Sequence, residues 1–88
     1  MSIPVLTGAI SGKWEPIDSV LGIGSSRSSW GSSPNIDEAF DECKNVLRLR
    51  AESLGGDAVI NVDYEIRNFD KGIEVIAFGT AIKVVQEI

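Results

Sequence analysis

The stretch NIDEAFDECKNVLRLRAESLGG, residues 35–56, decides the fold. Ile36, Ala39, Phe40, Cys43, Val46, Leu47, Arg50, Ala51 and Leu54 recur at three- and four-residue steps, and all but Arg50 are apolar. That is the period of one helix face. Both ends are marked. Pro34 and Asn35 precede the apolar face, and Asn35 with Glu38 has the spacing of a capping box. Asp37, Glu38, Asp41 and Glu42 lie where the helix dipole favours negative charge, and Arg48 and Arg50 lie toward the other end. Gly55 and Gly56 follow Leu54 and supply a left-handed stop.

Downstream, DAVINVDYEIR spans residues 57–67. Ala58, Ile60, Val62, Tyr64 and Ile66 alternate with Asn61, Asp63, Glu65 and Arg67, which predicts a strand with one buried face. NFDKG, residues 68–72, suits a short hairpin loop, with Gly72 expected at positive φ. The returning strand, IEVIAFGTAIKVV, is apolar on both faces. Ile76, Phe78, Ile82 and Val84 lie on one, and Val75, Ala77, Gly79 and Ala81 on the other. Upstream, Ile17 to Ile23 reads as a strand, and residues 3–10 as a short extra strand closed by Gly12. Between the first strand and the helix, GIGSSRSSWGSSPN, residues 22–35, reads as a Gly- and Ser-rich connector.

The expected fold class is therefore α+β. It is a small strand–helix–hairpin (β-α-β-β) unit, an antiparallel sheet with one helix packed on one face. With 88 residues, positions 1–88 form a single domain. One helix covers only one face of such a sheet. The Val75, Ala77 and Ala81 face is expected to be the uncovered one, with Gly79 permitting close approach by another backbone. An apolar face of that kind calls for a second subunit, so a homo-oligomer is expected.

Composition narrows the function classes. The formal charge is −5 and the eight basic residues are scattered, which argues against nucleic acid as a partner. No apolar run approaches a membrane span, so no membrane partner is expected. The start, MSIPVLTG, lacks the basic and long apolar regions of a secretory signal, and the expectation is a cytoplasmic protein. The single Cys43 fits a reducing compartment. The chain has no His, the commonest general base. Ser is plentiful, but nothing is placed to activate it, and no enzyme is expected.

Two sets of candidate site residues stand out. Cys43, Asp63 and Glu65 carry the donors a metal ion could use: one thiol for a soft metal, and two carboxylates on one side of a strand for a hard one. A single thiol cannot close a site, and Cys43 sits on the apolar helix face. Arg27 and Trp30 lie in the Gly/Ser segment, where a cation and an aromatic could contact a small molecule. GIGSSRS holds a Gly-x-Gly but lacks the third Gly of a dinucleotide fingerprint, and no Walker pattern is present. The acidic residues at the helix start would also repel an anion there.

LGGDAVINVDYE, residues 54–65, followed by GTAIKV, residues 79–84, resembles the YbjQ-like family. ISGK, residues 10–13, and SVLGIGSS, residues 19–26, resemble that family's first strand and its exit. This chain departs in a shorter segment before the helix and in Gly56, where an Ala is usual. The resemblance implies a dodecin-like subunit fold, ring-like homo-oligomers, notably pentamers, and heavy-metal or metalloid binding. A metal ion is then the implied cofactor. Two other readings stand beside it: an oligomeric binder of an aromatic or flavin-like small molecule using residues 24–34, and a structural or interaction ring without ligand.

Overall fold

The protein is described by a computed structural model covering residues 3–28, 31 and 33–85. Its elements run β1 (Trp14–Arg27), α1 (Ile36–Ser53), β2 (Ala58–Phe69) and β3 (Gly72–Val84). The three strands form one antiparallel sheet in the order β1-β3-β2. The β-α-β-β expectation is met.

Helix α1 forms where its signals lie. Asn35 is the N-cap, and its Oδ1 accepts from the backbone N–H of Asp37 at 2.9 Å and of Glu38 at 3.4 Å. Gly55, at φ 79°, carries the left-handed stop, and Gly56 N–H donates to Ala51 O at 2.8 Å. Ala39, Cys43, Leu47 and Ala51 are wholly buried on the sheet. Arg50, the odd member of the stripe, is exposed and donates to Leu21 O at 2.6 Å.

Strand β1 is twice as long as expected. It runs through Gly22–Arg27, so the first six residues of the presumed connector are strand. The reason is steric. Val20, Gly22, Gly24 and Ser26 point at the helix and are buried, while Leu21, Ile23 and Arg27 point away. A Cβ on Gly22 would stand 2.7 Å from Leu47 Cγ and 2.8 Å from Cys43 O, and one on Gly24 would strike Ala39 O and stand 2.5 Å from Cys43 N. The glycines are there because the helix backbone lies directly on them, and the composition of a loop results.

The same close approach reverses the expected faces of β3. Val75, Ala77 and Ala81 are buried with α1, Val59 and Val62 in the main core. Gly79 makes room for Val59 and Val62, whose methyl carbons would lie 2.7 and 2.9 Å from a Cβ. Ile76 and Phe78 face away from the helix. The room that Gly79 leaves is taken by the chain's own β2, and no second copy is needed to fill it.

Strand β2 does not keep one face throughout. Its register against β3 slips between Ile60 and Asp63, where Asn61 takes φ 53°. Asn tolerates that left-handed conformation. The extra residue is a bulge, and it switches the alternation. Ala58 and Ile60 point away from the helix and pack with Ile82 under Ile10 and Trp14. Val62 then joins Val59 on the helix side. Residues 3–8 form no full strand: Val5 makes a single parallel bridge to Val59, and four backbone hydrogen bonds tie Pro4, Leu6 and Gly8 to β2. At the hairpin, Asp70 and Lys71 form the turn, and Lys71, at φ 67°, takes the positive angle expected of Gly72.

The sheet outruns the helix. Fourteen residues of β1 at about 3.3 Å each span roughly 46 Å, against roughly 27 Å for the 18 residues of α1 at about 1.5 Å each. The described chain is accordingly elongated, 56 × 22 × 18 Å.

Gly24→Ala is expected to destabilise the fold by about 1–3 kcal/mol through forced separation of helix and sheet. Gly8→Ala, with nothing within 4 Å of its Cβ, should change stability little. Urea denaturation of the two variants measures both, and equal midpoints would refute the close-approach account.

Candidate functional site

The face of the sheet turned away from α1 is laid out in rows set by strand register. Leu21, Phe78 and Asp63 form one row, Ile23, Ile76 and Glu65 the next, and Ser25, Glu74 and Arg67 the third. Arg27, Gly72 and Phe69 close the series at the hairpin end. Along a strand alternate residues share a face, so four apolar side chains, Leu21, Ile23, Ile76 and Phe78, lie together. Leu21 is 42% exposed, Ile23 44% and Phe78 58%. Among the described residues, the cover on this face lies at the far end, where Ile10 and Trp14 pack on Ala58, Ile60 and Ile82.

Asp63 and Glu65 stand on this face at the β2 rim of the apolar rows. They share one side of the strand, as the alternation indicated, and both are exposed. Cys43 is elsewhere, on the opposite side of the sheet beneath α1, with no exposed surface. Burial pushes its thiol above the usual 9.0, and the neighbouring charge of Glu42 pushes in the same direction. Tyr64 lies on the same side, its ring 5.1 Å from that of Phe40. Its hydroxyl is also raised above 10.0, first by burial and then by Cys43, with Arg48 opposing.

The structure thus separates the three candidate metal donors. A soft metal takes thiolates or imidazoles. The chain has no imidazole, and its one thiol is buried and held protonated. Among the described residues no three His, Cys, Asp or Glu side chains come together to hold a metal ion. The donor set does not fit a heavy-metal site within a single chain.

Of the two candidate ligand contacts, Trp30 lies outside the described residues. Arg27 ends β1, and its guanidinium carbon stands 5.5 Å from the centre of the Phe69 ring. Arg27, Arg67, Asn68, Phe69 and Glu74 line a cleft of about 290 Å³. Arg67, Asn68, Phe69 and Glu74 were missed in the sequence because they meet Arg27 only through the sheet. The available signal was the hairpin register: a two-residue turn at Asp70 and Lys71 places Arg67 opposite Glu74 and Phe69 opposite Gly72. Ser26 and Ser28 fix the exit from β1. The buried Ser26 Oγ accepts from Asn35 N–H at 3.0 Å, and Ser28 donates to Lys71 O through both N–H and Oγ. No helix among the described residues is long and apolar enough to cross a membrane.

A three-stranded antiparallel sheet with a single helix seated on glycines defines the class: a small β-α-β-β domain with one apolar face open. Residues 17–85 match the model of the YbjQ family, described as "Putative heavy-metal-binding", and the chain belongs to that family. It is 42% identical over 50 residues to a UPF0145 protein of Natronomonas pharaonis, covering 56% of this chain and 48% of that one. It is 41% identical over 54 residues to a UPF0145 protein of Clostridium novyi, covering 60% and 52%. The chain therefore spans about half the length of the curated relatives it matches. A crystal structure of a protein of unknown function from Pediococcus pentosaceus superposes with a TM-score of 0.80 at 25% identity, covering 92% of this chain and 96% of that one. Heavy-metal binding attaches to the family by its name alone.

A thiol reagent should leave Cys43 unmodified in the native protein and modify it on unfolding. As pH rises, the unfolded chain releases the thiol proton before the folded one. The folded state is therefore favoured less once pH passes the unfolded thiol value. Urea denaturation across the alkaline range should show stability falling there, with a shallower fall in Cys43→Ala. Tyr64 adds a fall of the same sign at higher pH. Rapid native modification, or no difference between the two slopes, would refute the buried-thiol assignment.

Proposed function

We propose that this chain acts as the subunit of a ring-like homo-oligomer, in which a second copy covers the open sheet face. The observation that carries the proposal is the pair of apolar rows on the side the helix leaves free, Leu21 with Phe78 and Ile23 with Ile76, in which Leu21, Ile23 and Phe78 are exposed and Ile76 is half-buried. A contiguous apolar patch of that kind marks an association surface in a small soluble domain. The edges support the same reading. Strands β1 and β2 are the outer strands, and residues 4–8 cap only the first half of β2. From Asp63 to Phe69, β2 has no strand partner on its outer side among the described residues, and neither does β1. Such edges invite pairing. An unlike pair of free edges on one subunit suits head-to-tail contacts, which close into rings. The pentamer of the family resemblance is the ring size we propose.

This reading departs from the family's description. Its central role is assembly, with no catalytic step and no heavy-metal site inside the subunit. Asp63 and Glu65 are then polar rim residues of the interface, where acidic side chains keep the free subunit soluble.

Native mass spectrometry of the wild-type protein is expected to show a closed oligomer of a single size. Phe78→Glu, which places a charge at the centre of the rows, should shift the particle to monomer while circular dichroism keeps its α+β signature. A monomeric wild type, or an unchanged oligomer in Phe78→Glu, would overturn the proposal.

A further inference from the structure

We propose that the cleft at the hairpin end binds a small oxyanion, a phosphate or carboxylate group, between Arg27 and Arg67. The cleft lies on the same face as the apolar rows but beyond them, and the inference does not depend on the assembly.

The argument begins with unspent donors. Among the described residues Arg27 makes no hydrogen bond and no ion pair; its contact is the face of Phe69, 5.5 Å from guanidinium carbon to ring centre. A cation over a ring is held by the ring's quadrupole, which leaves the N–H groups at the guanidinium edge available. Arg67 is nearly as free. Its Nη1 stands 3.8 Å from Glu74 Oε1, beyond hydrogen-bond reach, and the Arg67 side chain is 64% exposed. Two guanidiniums with open donors therefore border one cleft. The guanidinium fork matches carboxylate and phosphate geometry better than any other side chain.

The second observation is that the cleft has a built floor. The Phe69 ring lies across Gly72, so that a Cβ there would strike its Cε2 and Cζ. Gly72 has no left-handed angle to explain it, since the turn's positive φ belongs to Lys71. The space for the ring is what the glycine provides. The end of β1 is tied down as well: Ser28, next to Arg27, donates twice to Lys71 O. Arg27 is thus held beside the hairpin by backbone and ring together, with its donors still open.

Size and charge set the ligand class. A volume of about 290 Å³ is at the lower limit for small-molecule pockets, which run from roughly 300 to 1,000 Å³. It suits an anionic group and not a large cofactor. Glu74 is the lone carboxylate in the lining. It would yield Arg67 to an incoming anion, because their pairing is long and half in water. Binding at so open a site is weak, since exposed charges are screened.

The test is an NMR titration of the full chain with inorganic phosphate, with acetate, and with chloride at matched ionic strength, reading the Arg27 and Arg67 Nε–H and Phe69 ring signals. The expected result is a saturable shift with phosphate or acetate that chloride does not reproduce. The anion that saturates at lower concentration distinguishes a phosphate site from a carboxylate site. Arg27→Gln should abolish saturation. Gly72→Ala, which displaces the ring without altering charge, should weaken the affinity several-fold. Shifts that chloride reproduces, or that persist unchanged in Arg27→Gln, would overturn the proposal. Its failure would leave the assembly reading standing, because the rows tested there contain none of the cleft residues.

Discussion

The structure depends on how closely α1 lies on the sheet. Gly22 and Gly24 offer no side chains, so the backbone around Ala39 and Cys43 rests almost on the backbone of β1. That contact decides which face of β3 is core. Beneath the helix β3 presents Val75, Ala77 and Ala81, while Gly79 on the same face makes room for Val59 and Val62 of β2. The larger alternates, Ile76 and Phe78, are thereby committed to the other side. An apolar surface on that side follows from close packing on this one. The core and the open face are linked here by the period-two alternation of a strand, in which neighbouring residues point to opposite faces.

The bulge at Asn61 is the second constraint. Without it, β2 would bring Ala58, Ile60, Val62, Tyr64 and Ile66 to a single face. With it, the first half of β2 sends Ala58 and Ile60 to meet Ile10 and Trp14, and the second half sends Val62 and Tyr64 to the helix side. The N-terminal segment covers the first half of the outer surface, and β2's free edge begins where that cover ends. Asp63 and Glu65 are consequently placed on the open face beside Phe78 and Ile76. Their grouping, which in the sequence suggests a cation site, is a product of the register.

Local signals proved readable where the physics is local. Asn35 as a cap, Gly55 as a stop, the helix stripe and a hairpin within residues 68–72 all rest on interactions within a few residues, although the positive φ falls on Lys71 and not on Gly72. The extent of β1 was not readable. Gly22, Gly24 and Ser26 have the composition of a loop, and they become strand residues only because a helix 15 residues onward in sequence folds back over them. The face reversal in β3 has the same origin, since both of its faces are apolar and only the tertiary partner chooses between them. For the candidate sites, Cys43 was readable as a core residue from its place on the stripe, and Arg27 was singled out by its chemistry. Its partners Phe69, Arg67 and Glu74 were hidden because β1 and the hairpin meet through β3, far apart in the chain.

In the assembly we propose, one face of the sheet is sealed by α1 and the other by a second copy. Side-chain footprinting by hydroxyl radicals, on the native particle and on subunits separated by mild dissociation, tests it most directly. Leu47 and Val75 should stay unlabelled in both samples, while Leu21 and Ile23 should be protected in the particle and labelled in the separated subunits. Equal labelling of Leu21 and Ile23 in the two samples would contradict the claim, as would labelling of Val75 in the native particle.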